Sequence, residues 1–187
     1  TFNIKDVRIK ELMGVSVPNV TLKIKDSKLK TNGPLLITHW GMSGPAILRL
    51  SAWGARELFD KNYQFTLQVN FLNEEVFDDV LVQLNQLKLE HAKKTIIKKS
   101  PFDLTSRLWE QLVLASEISS ETKWADLTKK QLVNLTNQLT NAEFKVNGKS
   151  TFKEEFVTAG GIDLKEIDFK TMQSKLFKNL YFTGEIM

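Results

Sequence analysis

Residues 20–25, VTLKIK, alternate between apolar and polar side chains, and this short run decides the fold class. Successive side chains of a β-strand point to opposite faces, so the run predicts a strand with one buried face and one wet face. Residues 26–27 predict a turn, and residues 29–37 predict a partner strand in which Asn32, Gly33 and Pro34 force a bulge or bend. Further strands are predicted at residues 4–13 and 65–69. Together these strands indicate an antiparallel sheet or a small barrel.

The character of the sequence becomes helical in two places. Ser43 can cap a first turn that tolerates Pro45, which predicts a helix running to about Asp60. Between residues 73 and 141, apolar residues recur at steps of three and four, which predicts amphipathic helices. We expect a first helix from about residue 74, a second over residues 103–118 and a third over residues 126–139, packed together as a small bundle.

Strand character then returns at residues 143–146, followed by Asn147 and Gly148, a strong hairpin signal, and by a strand at residues 152–158. We therefore predict an α+β fold, an antiparallel β-barrel-like domain interrupted by a small α-helical bundle. In this division residues 1–72 plus 142–187 form the barrel-like domain, and residues 73–141 form the inserted helical domain.

Composition narrows the classes of protein to which this chain can belong. Of the 187 residues, 42% are hydrophobic, 26% are charged and none is cysteine. The chain can bury a core, and it cannot use disulfides, thiolate metal ligands or cysteine nucleophiles. The absence of cysteine fits a reducing compartment, so we expect a cytoplasmic protein. The most apolar stretch, residues 35–55, is interrupted by His39 and Arg49, and we expect no membrane partner.

The net charge of +4 comes from lysines spread along the chain, among them Lys93, Lys94, Lys98 and Lys99. Because the aromatic residues occupy apolar periodic positions, we interpret these lysines as solvated side chains and expect no nucleic-acid partner. The chain starts at Thr1 rather than at Met and ends on a strand-like stretch. We therefore expect it to be a piece of a longer protein.

Three segments could carry chemistry. Residues 38–45, THWGMSGP, run through a glycine-rich turn into a helix N-terminus, where free amides attract anions. Residues 158–162, TAGGI, place Gly160 and Gly161 where a ligand or another backbone could approach closely. The third segment is residues 180–185, LYFTGE. Each has an ordinary structural explanation, and two histidines without cysteine make a poor metal site. Taken one at a time, the residues indicate only a two-domain α+β chain.

Taken together, the segments resemble the YhiN-like family of FAD-dependent oxidoreductases, also called the BaiN or aminoacetone-oxidase-like flavoproteins. Residues 38–48 look like that family's T-H-x-G-x-S-G-P-a-x-L. Residues 157–162, with Glu166 and Ile167, look like V-T-x-G-G-V followed by E-I. Residues 171–175 resemble T-M-E-S-K, and residues 180–185 resemble L-Y-F-x-G-E. The ordered set covers about 150 residues and is more specific than any of its members.

The resemblance implies that this chain is the insert region of a split Rossmann-type flavoprotein, a substrate-binding or cap region that is inactive alone. It implies FAD as cofactor in the full-length parent, not tightly bound by this fragment, with NAD(P)H as a possible electron donor. Its partners would be the rest of its own chain and a small-molecule substrate. His39, Ser43 and Thr158 would line the substrate pocket, and Gly160, Gly161, Gly184 and Glu185 would approach FAD. No metal ligand and no catalytic residue is predicted.

Two other classes stay open at this point. A free-standing interaction module would use its helical bundle to hold a partner protein. A nucleic-acid binder would use the basic balance, and its binding would fall steeply with salt.

Overall fold

Six strands close into an antiparallel barrel in the computed structural model, which describes residues 1–150 and 160–187. Around the barrel their order is β1-β4-β3-β2-β5-β6, with β6 returning to β1. This confirms the predicted α+β fold with a β-barrel. The strands are β1 (Phe2–Ile4), β2 (Ser16–Ile24), β3 (Lys30–Thr38), β4 (Gly41–Ser43), β5 (Gln64–Asn70) and β6 (Ala142–Lys149).

The alternation in β2 does what a half-buried strand requires. Val20, Leu22 and Ile24 are buried in the core, and Lys23 and Lys25 are exposed. The predicted irregularity is present, but it lies on β2, because Val17 pairs with Leu35 while Val20 pairs with Gly33. Strand β3 itself runs without a break through residues 32–34. The extra residue is therefore accommodated opposite Pro34, whose nitrogen has no hydrogen to donate to a neighbouring strand.

The strand predicted at residues 4–13 is wrong beyond Ile4, where β1 ends. The segment instead makes successive tight turns, in which Ile9 N donates to Asp6 O at 3.2 Å and Leu12 N donates to Ile9 O at 3.1 Å. Val15 N continues this pattern at 2.9 Å from Leu12 O. Ile9, Leu12 and Val15 are buried, so the apolar period in this segment is three rather than two.

The helix predicted up to Asp60 is two helices, α1 (Pro45–Trp53) and α2 (Ala55–Asp60), separated at Gly54. A Cβ at Gly54 would lie 2.7 Å from Leu29 Cδ1, so the break allows a close approach. The predicted capping role of Ser43 is wrong. Gly44 occupies the N-cap position, and Ser43 belongs to β4. Pro45 occupies the first helical position and has no backbone N–H, so the first turn of α1 has one fewer amide that needs a hydrogen-bond acceptor.

Three helices lie between β5 and β6, as predicted, with tighter bounds: α3 (Phe77–Glu90), α4 (Ser106–Ala115) and α5 (Lys129–Thr140). Threonine caps start two of them. Thr105 accepts from Leu108 N, and Thr128 forms a reciprocal capping box with Gln131. Their apolar stripes belong to the same hydrophobic core as the barrel. The domain boundaries at residues 72 and 142 stay a prediction.

The predicted hairpin at Asn147 and Gly148 is wrong, because β6 runs through both residues. Asn147 pairs with Gln64, and Gly148 N donates to Tyr63 O at 2.9 Å. Long-range pairing on both edges of β6 overrides the local turn preference of the dipeptide. The strand predicted at residues 152–158 lies outside the described residues.

The chain divides into two compact units, Thr1–Thr151 and Phe152–Met187. The first contains the barrel and the helices. In the described part of the second, β7 (Ile167–Asp168) pairs with β8 (Gln173–Ser174), and Tyr181 forms a single bridge to Gln173. The strand-like character predicted for residues 180–185 is thus reduced to one bridge. Among the described residues, no helix is both long enough and apolar enough to cross a membrane.

Candidate functional site

The first predicted segment forms the hairpin between β3 and β4. Thr38 Oγ1 accepts from Trp40 N at 3.3 Å and donates to Gly41 O at 3.3 Å, which fixes the turn. Trp40 O accepts from Ile4 N at 2.8 Å, so the hairpin is bound to β1. His39 and Trp40 are exposed at its end, with Trp40 57% exposed. A rigid turn therefore presents an imidazole and an indole to the outside of the barrel.

Ser43 lies at the other end of β4 and is half-buried. Its Oγ accepts a hydrogen bond from Thr1 Oγ1 at 3.2 Å. Within the described residues no hydrogen bond joins Ser43 to His39, and their shared role as pocket residues stays a prediction. Thr158, the third predicted pocket residue, lies outside the described residues.

The predicted cofactor contacts all belong to the second unit, where Gly161 packs against Ile186, the residue after Glu185. Ile162 N donates to Ile186 O at 3.0 Å, and a Cβ at Gly161 would lie 2.5 Å from the same oxygen. Residues 160–162 therefore pack directly against the segment that contains Gly184 and Glu185. A side chain at Gly161 would collide with Ile186 O. The φ of Gly161 is +143°, which side chains also disfavour, so both observations require glycine at this position.

Gly160 and Gly184 flank this contact in sequence, and both present open backbone. Their φ values are +136° and +86°, and no atom lies within 4 Å of the position a Cβ would take at either residue. Glu185, the next residue after Gly184, is exposed. A ligand could approach both backbones closely, and the carboxylate could accept hydrogen bonds from hydroxyl groups. We call Gly160, Gly161, Gly184 and Glu185 the glycine cradle. Among the described residues, no group of three or more His, Cys, Asp or Glu side chains could hold a metal ion.

A groove runs between β2 and the helices, lined by Pro18, Asn19, Phe71, Gln83 and Phe102 among others. None of the predicted site residues that the structure describes lines it. Its walls are mixed apolar and polar and include two carboxylates, Glu75 and Asp103.

A feature that the sequence did not single out is a cluster of exposed lysines on the loops joining the helices. Lys123 comes next to Lys93 and Lys94 because Thr95 pairs with Lys123 in an isolated β-bridge. Trp124 N also donates to Lys94 O at 3.0 Å. The four lysines at residues 93–99 were visible in the sequence. Their proximity to Lys123 depends on a contact across some thirty residues that no local pattern indicates.

The first unit is thus a closed barrel carrying a helical insertion, and the second unit holds an open glycine cradle. Comparison with known families agrees with the first part: the family described as HI0933-like protein barrel and H2TH domain matches residues 1–157. The chain belongs to this HI0933-like family, which is associated with flavoprotein-like proteins.

Two curated relatives extend the likeness over the second unit. The chain is 31% identical over 189 residues to the ribosomal RNA dihydrouridine synthase of Haemophilus influenzae, covering 100% of this chain and 43% of that protein. It is 29% identical over 176 residues to the ribosomal RNA dihydrouridine synthase of Escherichia coli, covering 94% of this chain and 41% of that protein. The chain therefore spans less than half the length of these relatives.

Proposed function

We propose that this chain is the barrel and helical portion of a flavin-dependent oxidoreductase that reduces uridine to dihydrouridine in ribosomal RNA. The observation that carries the proposal is the match over 100% of the chain to a relative of that name. The ordered motifs at residues 38–48, 157–162, 171–175 and 180–185 support the finer assignment to the YhiN-like flavoproteins. The reaction belongs in the cytoplasm, where ribosomal RNA is found.

In this proposal the chain is a cap over the substrate and is inactive alone. Since it spans less than half of its relatives, the segments that bind most of the FAD belong to the rest of the protein. The cradle of Gly160, Gly161, Gly184 and Glu185 would contact the cofactor from this chain. Bound flavin, once reduced by a donor such as NAD(P)H, supplies a hydride. Reduction of uridine takes that hydride and one proton across the C5–C6 double bond, so electrons and atoms balance.

The exposed apolar side chains of the second unit are evidence that another part of the same protein packs against it. Its described residues include many large apolar side chains that are exposed, and a unit this small cannot bury them by itself. We assign their covering to the rest of the chain. These side chains are Leu164, Phe169, Met172, Leu176, Phe177, Leu180, Tyr181, Ile186 and Met187.

His39, Ser43 and Thr158 stay candidates for lining the substrate pocket. Of these, His39 has the exposure that a substrate contact requires, and the neighbouring Trp40 offers a flat apolar surface on which a base could stack. The small-molecule substrate expected from the family resemblance stays a prediction, and the RNA substrate rests on the names of the relatives.

The test uses the full-length protein, incubated with FAD, desalted and supplied with NAD(P)H under exclusion of oxygen. We expect a flavin absorbance band and conversion of uridine to dihydrouridine in deproteinised ribosomal RNA, measured by nucleoside mass spectrometry. Free uridine serves as the competing substrate, and its preferential reduction would favour the small-molecule alternative. Protein that takes up no FAD would overturn the flavin assignment and favour the interaction module.

A further inference from the structure

The helices of the first unit end in a basic tip, at the end away from the barrel. Helix α3 leaves the barrel after β5, and α5 returns to it just before β6, where Val69 pairs with Ala142. The end of α3 and the start of α5 are therefore distal, about 20 Å from the barrel for a helix of this length. The segments joining the helices carry five exposed lysines, which we call the tip lysines: Lys93, Lys94, Lys98, Lys99 and Lys123. Lys93, Lys94 and Lys123 lie at the distal end, whereas Lys98 and Lys99 lie on the segment that leads back to Phe102, which lines the groove beside β2.

The tip lysines form no ion pair in the part of the chain that the structure describes, although Glu90, Glu121 and Asp126 lie on the same segments. Lysines elsewhere do form ion pairs, such as Lys25 with Glu143 at 2.9 Å. Within the tip, the one close side-chain contact of these lysines is Lys94 Nζ at 3.5 Å from His91 Nδ1. Unpaired cations of one sign on a small surface repel each other, so their grouping costs stability unless an anion binds there.

Charge is separated along the helical insertion. Acidic side chains gather at and just before the barrel end of α3, at Glu74, Glu75, Asp78 and Asp79, while at the other end the lysines outnumber Glu90, Glu121 and Asp126. The first turn of α5 adds Lys129 and Lys130, which oppose the helix macrodipole, and Lys130 is paired with Glu117 at 2.8 Å. Helix stability does not explain lysines at this position.

The tip is built to hold these charges in place. Trp109 Nε1 donates to Ile96 O at 2.9 Å, and Ile96 N donates to Thr122 O at 3.0 Å, which joins the two lysine-bearing loops. Trp109 and Trp124 are both buried, so no tryptophan of the tip is available for stacking on a base. The lysine ammonium groups are flexible point charges, which bind phosphate groups better than they bind the edges of bases.

We propose that the tip lysines bind the phosphate backbone of ribosomal RNA and so hold the substrate on the enzyme. The proposal rests on the function proposed above and deepens it, and it departs from the expectation that the chain has no nucleic-acid partner. The contacts are independent of base sequence, which leaves the choice of uridine to the reaction site.

The experiment uses full-length protein loaded with FAD, with all five tip lysines changed to Gln. The matched control carries five changes to Gln at exposed lysines of the barrel unit that form no ion pair: Lys5, Lys10, Lys23, Lys28 and Lys145. Both lose the same net charge. Binding of deproteinised ribosomal RNA is measured between about 50 and 200 mM KCl, a range over which phosphate contacts weaken strongly.

We expect the tip variant to bind RNA at least tenfold more weakly than wild type, with a shallower dependence of log Kd on log salt, by about 0.7 for each lost contact. The barrel control should stay within about threefold of wild type, and changing the five tip lysines to Arg instead should restore binding, because phosphate contacts follow charge. Flavin absorbance should be unchanged in all variants. Equal RNA binding by the tip and barrel variants would overturn the proposal, as would a tip that binds vesicles of anionic lipid while RNA binding is unaffected.

Failure of the two proposals can be told apart. If the protein forms no dihydrouridine but RNA binding still depends on the tip, the proposed reaction is wrong and the RNA surface stands. If dihydrouridine forms and RNA binding does not depend on the tip, the reaction stands and the RNA surface is wrong.

Discussion

Arg8 connects three parts of the barrel unit. Its guanidinium donates to both carboxylate oxygens of Asp6, at 2.9 and 2.7 Å, and to Gln138 Oε1 at 2.7 Å on α5. It also lies over the ring of Phe144, 4.0 Å from the centroid. Burial disfavours the charged form of Asp6, but the hydrogen bonds from Arg8 outweigh it and lower the pKa of the Asp6 carboxyl.

Changing Asp6 to Asn should lower the free energy of unfolding by about 1–2 kcal/mol at neutral pH, since hydrogen bonds to a charged group are lost. A lowered folded-state pKa gives stability that is present above the unfolded-state value of about 3.9 and is lost as pH falls through the folded-state value. The difference in free energy of unfolding between wild type and Asp6→Asn should therefore shrink below pH 4. Urea unfolding from pH 7 to pH 3 measures it, and a difference independent of pH would contradict this role.

Gly41 permits the closure of the barrel between β1 and β4. Its φ is +145°, and a Cβ there would press on Phe2 O and lie 2.6 Å from Ile4 N. Gly41→Ala should lower the free energy of unfolding by about 3 kcal/mol or more, because backbone must move. Gly14→Ala is the control: its φ is +81° in open space, so only backbone strain of about 1–2 kcal/mol applies. Equal losses from the two changes would show that the close contact has no energetic weight.

At the scale of elements, the start of α5 depends on one threonine. Thr128 Oγ1 accepts from Gln131 N, and Thr128 N donates to Gln131 Oε1 in return. Thr128→Ala should cost about 1 kcal/mol of stability in thermal or urea unfolding. Thr183→Ala, an exposed threonine of the second unit without a capping role, should cost nothing measurable. A silent Thr128→Ala would mean that packing of Leu132 and Leu135 alone sets the start of this helix.

Elements were predictable where the pattern was local and wrong where a distant contact decided. The alternation at residues 20–25 and the helical period between residues 76 and 139 were sufficient to predict β2 and three helices. At Asn147 and Gly148 the local hairpin preference lost to pairing of β6 with both neighbours. Residues 4–13 have a strand-like composition, but Ile9, Leu12 and Val15 recur every third residue and form turns.

The candidate site was predictable only in part, for the same reason. The glycines at residues 160–161 and 184 stand out in the sequence, and in the structure Gly161 packs against Ile186, two residues after Gly184. The tip was not predictable, because it needs the pairing of Thr95 with Lys123. A lysine run by itself is typical of a solvated surface, and only the fold turns separate lysines into one patch.

At the scale of the whole molecule, the two units should differ in whether each can fold as an isolated fragment. Residues 1–150 contain the closed barrel and the large shared core, so this fragment should unfold in one cooperative transition. Most of the large apolar side chains that the structure describes at residues 160–187 are exposed, so a fragment of residues 152–187 should show no cooperative transition by circular dichroism. Cooperative unfolding of the small fragment would contradict the inference that the rest of the protein covers it.

The central claim is that the full-length protein reduces uridine in ribosomal RNA with a bound flavin. The most direct measurement is the dihydrouridine content of ribosomal RNA, by nucleoside mass spectrometry, from cells with and without the gene for this protein. We predict that dihydrouridine disappears at one or more positions in the deletion strain and returns when the intact gene is restored. Unchanged dihydrouridine at every position in the deletion strain would contradict the account.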